Sequence, residues 1–275
     1  MPMTKRKILY IAQEISPYVE ESVSNQSQHL PLDMLERGDD IRVFMPNYGI
    51  INERRHQLHE VIRLSGVNLT VNDRVHQLIV KVASLLPQRM QVYFIDNDDL
   101  FARKGTVLDN STGRLYDDNV QRAVFFTRGV FETIKKLRWV PDIIHCQGWF
   151  TGLAPLYLKT LFKADPALSG AKLVFSVYDK TPETPFGENL TEVLQYDGIT
   201  HELLDGSPLT REDLTKLIFN YIDGIVFGTE DISKDVVKWA KESKNVNVLE
   251  YLPVEESFSA ISDLYDELLK NISKE

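Results

Sequence analysis

Ile8-Leu9-Tyr10-Ile11-Ala12 is a short, almost entirely apolar run close to the start of the chain. An apolar run of this length predicts a strand that is buried on both faces, as in a parallel sheet. A helical pattern over residues 28–37 follows, ends at Gly38, and leads to a second apolar run at residues 41–45. The order strand, helix, strand predicts two parallel strands joined by a crossover helix.

The same alternation continues along the rest of the chain. Residues 61–97 are the exception, because two strand patterns follow each other there without a helix and predict an antiparallel extension at the sheet edge. Residues 179–207 are rich in Pro, Thr, Gly and Glu, which predicts a long loop. Strands are expected at 143–146, 173–177, 224–227 and 246–249, and helices at 117–137, 153–162, 214–221 and 233–241.

This pattern predicts an α/β fold, a single Rossmann-like domain of three layers with a mostly parallel sheet. We expect the domain to span residues 1–254. A last amphipathic helix within residues 255–275, from about Ser257, is expected to pack back on it through an apolar stripe. The stripe consists of Phe258, Ile261, Leu264, Tyr265, Leu268 and Leu269.

Composition argues against several classes of protein. The 275 residues carry 40 Asp and Glu against 31 Lys and Arg, a net charge of -9, so the surface as a whole repels nucleic-acid phosphates. The single cysteine, Cys146, excludes an intrachain disulfide and a multi-cysteine zinc site. No apolar run approaches the roughly 18 residues of a membrane helix, and the N-terminus lacks a signal-peptide pattern. We therefore expect a cytoplasmic protein with neither nucleic-acid nor membrane partners.

Short catalytic motifs are missing from the sequence. It contains no phosphate loop, no Gly-x-Gly-x-x-Gly, no Gly-x-Ser-x-Gly and no His-Glu-x-x-His. His56 and His59 lie three residues apart on a polar stretch, which fits a solvated surface pair better than a metal site without a third ligand. The sequence predicts no catalytic residue, no cofactor and no metal.

Several polar residues near predicted strand ends have two interpretations. His145 is expected to be a hydrogen-bonded core histidine, and a ligand contact at the strand end is the alternative. Cys146 is expected to be a small buried apolar residue, since the sequence places no base beside it. Asp96, Asp98 and Asp99 resemble a cation cluster, but a polar turn after a strand explains them as well.

Separated segments carry a family resemblance, in the same order along the chain. They are residues 8–18, residues 35–43 with Pro46-Asn47-Tyr48-Gly49, residues 93–97, Asp118-Asn119 with Arg122 and Phe125-Phe126, Pro141-Asp142-Ile143-Ile144-His145, and Trp149 with residues 151–159. Together they resemble the N-terminal domain of bacterial glycogen and starch synthases, glycosyltransferases of family five with the two-domain GT-B fold. The resemblance covers roughly residues 7–178. It implies the acceptor-side half of a GT-B enzyme, and a family reaction that moves glucose from ADP-glucose to an α-1,4-glucan.

The chain departs from the family pattern around the cleft. Where the family has Lys-Thr-Gly-Gly-Leu, this sequence has Glu20-Glu21-Ser22-Val23-Ser24. Two like charges at ~5 Å and an effective dielectric constant of ~20 repel by about 3 kcal/mol, so this degenerate donor loop is expected to reject a nucleotide diphosphate. The family's His-Asp-Trp-His appears as Gln147-Gly148-Trp149-Phe150, and its His-Asn pair appears as Tyr178-Asp179.

The length of the chain gives a second expectation. The residues after the strand at Gly224 are too few for the donor-binding domain of a GT-B enzyme. The last helix resembles the terminal helix that packs back on the N-terminal domain in those enzymes. We therefore expect a complete chain from which the donor half has been deleted.

The resulting hypothesis is a degenerate acceptor-side domain that is non-catalytic alone and binds an α-glucan or a protein partner. The substrate-binding candidates are Tyr18, Gln147, Trp149 and Tyr178, since aromatic faces match the apolar side of a pyranose. The alternative for Trp149 is a place in the core. One rival is an active glucosyltransferase of glycogen synthesis, completed by a partner chain with the donor domain or using a donor without a diphosphate. Another is a protein-interaction role in which the uncapped cleft forms a homodimer.

Overall fold

The computed structural model describes residues 5–20, 24–178, 180–204, 208–243 and 246–270. The strands are β1 (Lys7–Ala12), β2 (Asp40–Pro46), β3 (His59–Glu60), β4 (Val67–Val71), β5 (Arg74–Leu85), β6 (Met90–Asp96), β7 (Ile143–Gln147), β8 (Lys172–Val177), β9 (Gly224–Phe227) and β10 (Asn247–Leu249). The helices are α1 (Ser24–Glu36), α2 (Asp98–Phe101), α3 (Asn119–Leu137), α4 (Ala154–Lys159), α5 (Leu190–Tyr196), α6 (Arg211–Phe219), α7 (Lys234–Glu242) and α8 (Val254–Lys270), with a 3₁₀ helix at Trp149–Thr151.

The strands of the described chain form one sheet in the order β10-β9-β8-β7-β1-β2-β6-β5-β3, with β4 paired to β5. Every neighbouring pair from β10 to β6 is parallel, and β5 is antiparallel to β3, β4 and β6. This confirms the predicted α/β fold and the antiparallel extension at the edge. The chain leaves β1 toward β2 and later returns on the other side as β7, so the strand order reverses there. Open α/β sheets bind ligands at such a switch point, outside the carboxyl ends of the strands.

Strand β1 lies in the middle of this sheet, and its residues from Ile8 to Ala12 are fully buried. Helices cover both faces of the sheet here, so side chains on both faces of β1 are buried. The run is therefore apolar at every position and does not alternate. Helices α1 and α8 pack against each other and on β2, β9 and β10, whereas α3 packs on β2, β4 and β6. Among the described helices, none combines the length and the apolar character that crossing a bilayer requires.

Helix α8 confirms the predicted last helix, although it begins at Val254 and not near Ser257. Its polar side is held by Arg6, which donates to the carbonyl oxygen of Ser262 and to Oδ1 of Asp266, both at 2.9 Å. The helix is therefore tied to the residue that precedes β1. The buried members of its apolar stripe are Ile261, Leu264, Tyr265 and Leu268.

The structure corrects the expectation of a long loop. The predicted long loop at 179–207 contains helix α5, because Leu190, Val193 and Leu194 have the spacing of one helix face. Strands β3 and β4 add to the predicted antiparallel extension. Asp197, just after α5, accepts hydrogen bonds from Arg128 at 2.9 Å and from the Tyr157 hydroxyl at 2.6 Å. These hydrogen bonds and the buried apolar side of α5 hold residues 190–197 on the domain. The buried residues of α5 are Leu190, Val193 and Leu194.

Candidate functional site

The candidate site lies at the carboxyl edge of the parallel strands. Gln13 and Glu14 follow β1, Gly148 follows β7, and Tyr178 follows β8. Strands β1, β7 and β8 are neighbours, so these residues converge at one edge of the sheet. They surround the place where the strand order reverses, which is the expected ligand position in an open α/β sheet.

Gln13 and Gly148 shape the floor of this edge. The Gln13 amide donates to the carbonyl oxygen of Gln147 at 3.0 Å, and its side-chain Oε1 accepts from the amide of Phe150 at 3.1 Å. The side chain thereby satisfies an amide at the start of the 3₁₀ helix. Gly148 has φ of +87°, and a Cβ there would lie 2.8 Å from Cβ of Gln13. Only glycine therefore fits between β7 and the 3₁₀ helix.

Trp149 and Tyr178 meet at one cavity of about 210 Å³, which we call the central cavity. Each side chain is 8% exposed. Trp149 packs edge-on against Phe186, with ring centroids 5.5 Å apart, so most of its indole belongs to the core and a small part lines the cavity. The cavity is lined by Gln13, Glu14, Val107, Leu108, Leu115, Gly148, Trp149, Tyr178, Lys180, Thr181 and Pro182.

A second cavity of about 230 Å³ is also lined by Tyr178, and we call it the lateral cavity. It shares Tyr178 and Thr181 with the central cavity. Burial raises the pKa of the Tyr178 phenol, so this hydroxyl stays protonated at neutral pH, and it interacts with the side chains of Ser176 and Gln147. The lining consists of Val177, Tyr178, Thr181, Arg211, Glu212, Thr215, Ile232, Ser233, Asp235, Val236 and Trp239.

The other predicted site residues lie away from these two cavities. Tyr18 is buried with its ring edge-on to Phe94, at 4.9 Å between centroids, and burial raises its pKa to about 12. Gln147 is fully buried, and its side-chain amide interacts with the phenol of Tyr178. It borders a small internal space of about 20 Å³ beside Tyr178. Glu20 is exposed, whereas Glu21 and Ser22 lie outside the described residues.

His145 and Cys146 are core residues. His145 is fully buried, with Nε2 2.7 Å from the Ser176 hydroxyl and Nδ1 2.5 Å from the Tyr265 hydroxyl. Burial lowers the pKa of His145 to about 3, so its imidazole is neutral at physiological pH. Burial also raises the pKa of the Cys146 thiol, which keeps it protonated and unreactive. The interpretation of His145 as a hydrogen-bonded core histidine is confirmed.

The acidic and histidine clusters have structural explanations. Asp96 pairs with Lys81 at 2.8 Å, whereas Asp98 and Asp99 occupy the first turn of α2, where carboxylates suit the helix dipole. His59 is exposed and His56 is half-buried. Within the described ranges, no group of three or more His, Cys, Asp or Glu side chains is arranged to hold a metal ion.

Arg122 supports the loop that forms one wall of the central cavity. Its guanidinium is fully buried and donates to the carbonyl oxygens of Leu100 and Thr106, each at 2.8 Å, and to Oδ1 of Asn119 at 2.6 Å. The rings of Tyr48, Phe101, Tyr116 and Phe150 lie within 6.0 Å of it. These contacts hold the segment that carries the lining residues Val107, Leu108 and Leu115.

Sequence reasoning missed several residues that line the cavities. Gln13 and Glu14 directly follow a predicted strand, a position that could have identified them. Thr181 was assigned only to a long loop, and Trp239 only to a helix. No pattern in the sequence indicates that these two side chains line the same cavity.

Comparison with known proteins gives a consistent result. The family model described as starch synthase catalytic domain matches residues 7–213. Glycogen synthase from Chlorobium limicola is 38% identical over 174 residues, which is 63% of this chain and 36% of that protein. Glycogen synthase from Chlorobaculum parvum is 31% identical over 233 residues, which is 84% of this chain and 47% of that protein. The chain thus spans between a third and a half of these relatives.

A solved structure supports the fold. The catalytic domain of starch synthase IV from Arabidopsis thaliana, solved bound to ADP and acarbose, superposes with a TM-score of 0.67. The match covers 90% of this chain and 52% of that one, at 15% sequence identity. At this identity the likeness concerns the arrangement of strands and helices.

Proposed function

Since the chain belongs to the family of starch synthase catalytic domains, we propose that it is an acceptor-side domain that binds an α-glucan and does not transfer glucose from ADP-glucose by itself. The proposal concerns these 275 residues. The ligand site is the central cavity, with Trp149 and Tyr178 as its aromatic walls.

The observation that carries the proposal is the meeting of these two aromatic residues with polar groups in one cavity. Trp149 and Tyr178 offer ring edges and apolar surface, and Glu14, Lys180 and Thr181 offer hydrogen-bonding groups. A pyranose has both an apolar face and a rim of hydroxyls, so it matches a lining of this mixed kind. This supports glucan binding at the switch point of the sheet.

Three features support the absence of transfer by the chain alone. The donor loop that carries a lysine and two glycines in the family begins here with the exposed carboxylate of Glu20. Gly148 stands where the family has an aspartate, and its contact with Gln13 leaves no room for a side chain. Tyr178 stands where the family has a histidine, and its buried phenol cannot serve as a base at neutral pH.

The family match itself favours an alternative. In that case the protein is an active glucosyltransferase whose cleft is completed by a partner chain carrying a donor-binding domain. Both candidates use the central cavity for the acceptor glucan, and they differ in whether ADP-glucose is used.

Isothermal titration calorimetry tests whether the purified chain binds the glucan and whether it uses ADP-glucose without a partner chain. We expect the purified chain to bind malto-oligosaccharides with dissociation constants in the millimolar range or below, and to show no heat with ADP-glucose. Binding of ADP-glucose, or glucosyl transfer by the purified chain, would favour the enzyme. Binding of neither ligand would refute glucan recognition and favour a role in protein interaction.

A matched pair of tryptophan variants locates the binding site. Trp149→Phe keeps a buried ring but removes the indole edge from the central cavity, so we expect several-fold weaker binding. Trp139→Phe is the control, because Trp139 is equally buried at 7% exposure and its indole donates to Asp40 at the opposite, amino edge of the sheet. Equal affinities of the two variants would place the glucan elsewhere.

A further inference from the structure

The lateral cavity has the composition of a carbohydrate site, although no sequence motif identifies it. Trp239 and Tyr178 form aromatic parts of its wall, and Ile232 and Val236 add apolar surface. Thr181 and Ser233 bring hydroxyl groups to the same space. Aromatic and hydroxyl groups side by side match the two surfaces of a pyranose ring.

The ring of Trp239 is held in place by a neighbouring side chain. It is half-buried on α7, and Nζ of Lys216 lies over its ring at 4.5 Å from the centroid. This cation–π contact between α6 and α7 restricts the indole before any ligand arrives. A restricted ring loses less conformational entropy on binding than a mobile one.

The charges around the cavity select against anionic ligands. Glu212 and Asp235 place two carboxylates on the wall, whereas the one arginine there, Arg211, is engaged with Glu183 at 2.9 Å. A phosphate would meet two carboxylates at short range. A neutral ligand with many hydroxyls can instead donate hydrogen bonds to them.

The sizes of the two cavities point to one extended ligand. The central cavity measures about 210 Å³ and the lateral cavity about 230 Å³, so each alone is smaller than the ~300 Å³ at which ligand pockets usually begin. Together they fall inside that range. They share Tyr178 and Thr181, so the two cavities adjoin at these residues.

We infer that the lateral cavity is a second sugar subsite, and that one α-linked glucan chain occupies both cavities by passing over Tyr178. This inference rests on the proposed glucan binding and extends it to the length of chain recognised. Trp239 contacts the part of the chain beyond Tyr178, and Glu212 and Asp235 accept hydrogen bonds from its hydroxyls.

The test is a chain-length series measured by calorimetry, from maltose to maltohexaose. In the unmodified protein, affinity should rise about tenfold between the short and the long oligomers. Trp239→Ala should remove this increase and leave the affinity for maltose unchanged. Lys238→Ala is the matched control, since Lys238 is exposed on the same helix and does not line the cavity.

Trp239→Ala can also weaken binding by disturbing the packing of α7, so a second variant tests the same subsite without changing that packing. Glu212→Gln combined with Asp235→Asn keeps the shape of two exposed side chains and should weaken maltohexaose binding several-fold, with maltose unaffected. If both variants keep the full chain-length dependence, the second subsite is wrong and the proposed function stands. If the unmodified protein binds no malto-oligosaccharide, the proposed function itself fails.

Discussion

Gly228 lies so close to the ring of Tyr178 that a Cβ added to the glycine would stand 2.2 Å from Cε1 of the tyrosine. The amide of Gly228 also donates to the carbonyl oxygen of Val177 at 2.9 Å, which fixes the backbone next to the ring. The backbone just after β9 therefore sets the position of the side chain that lines both cavities. A side chain at 228 can be accommodated only if Tyr178 moves.

Gly228→Ala should destabilise the fold by about 1–3 kcal/mol, the usual range for overpacking, and should weaken malto-oligosaccharide binding because the ring of Tyr178 is displaced. Urea denaturation and calorimetry measure the two effects. Gly170→Ala is the control, since a Cβ there meets no atom within 4 Å and the change should stay within about 0.5 kcal/mol. Equal stability of the two variants would contradict the close contact.

Tyr265→Phe should cost about 1–3 kcal/mol of unfolding free energy, although it removes only one hydroxyl. That hydroxyl lies 2.5 Å from Nδ1 of His145 and 3.1 Å from the Tyr10 hydroxyl, so two buried polar groups lose their partner together. Tyr196→Phe is the control, because Tyr196 is 53% exposed and water can replace any bond it makes. A loss no larger than in the control would show that this network adds nothing to stability.

Stability should fall as the pH is lowered below about 6, with His145 as one identifiable cause. Its pKa is about 3 in the folded protein and about 6.5 when unfolded, so in this window the unfolded chain binds a proton that the folded chain does not. The contribution is up to about 1.4 kcal/mol per pH unit. The stability that depends on neutral His145 is fully present above the unfolded pKa of about 6.5, and it is lost as the pH falls toward 3.

Denaturation curves of His145→Gln at several pH values test this assignment. The variant should start less stable at pH 7 and change less between pH 6 and pH 4 than the unmodified protein. His59→Gln, at an exposed position, should keep the original pH dependence. Parallel curves for all three proteins would exclude His145 as a source of the slope.

Arg122→Met should destabilise the protein by about 3 kcal/mol or more, because the buried carbonyl oxygens of Leu100 and Thr106 would lose the guanidinium as a donor. Malto-oligosaccharide affinity should fall as well, since the loop wall of the central cavity loses its support. Arg114→Met removes an exposed arginine from the same loop and should change stability by less than about 0.5 kcal/mol. If both variants unfold at the same urea concentration, the loop is held by its other contacts.

The fold was predictable because its main signal is local. The apolar runs of β1, β7 and β8 have no alternation, and only a parallel sheet covered on both faces buries such runs completely. The Pro and Gly content of residues 179–207 predicts a loop, whereas the short helix α5 within them depends on the spacing of a few apolar residues. Composition describes a whole window, whereas a seven-residue helix depends on three or four positions within it.

The site was predictable only in part, because its geometry depends on contacts between distant segments. Trp149 and Tyr178 follow strands, so their place at the carboxyl edge could be expected from topology. The burial of Tyr18 against Phe94 and of Gln147 in the core follows from packing, which one sequence does not reveal. Trp239 and Tyr178 likewise line one cavity only because the folded chain brings α7 close to the end of β8.

The bond between the hydroxyls of Tyr10 and Tyr265 joins positions that are 255 residues apart along the chain. During synthesis the central strand emerges from the ribosome long before the helix that completes its surroundings. Until then the hydroxyl of Tyr10 and the ring of His145 lack their final partner, and closing so large a loop is slow. Folding of this domain can therefore finish only after α8 has left the ribosome, and until then the nascent chain is exposed to aggregation.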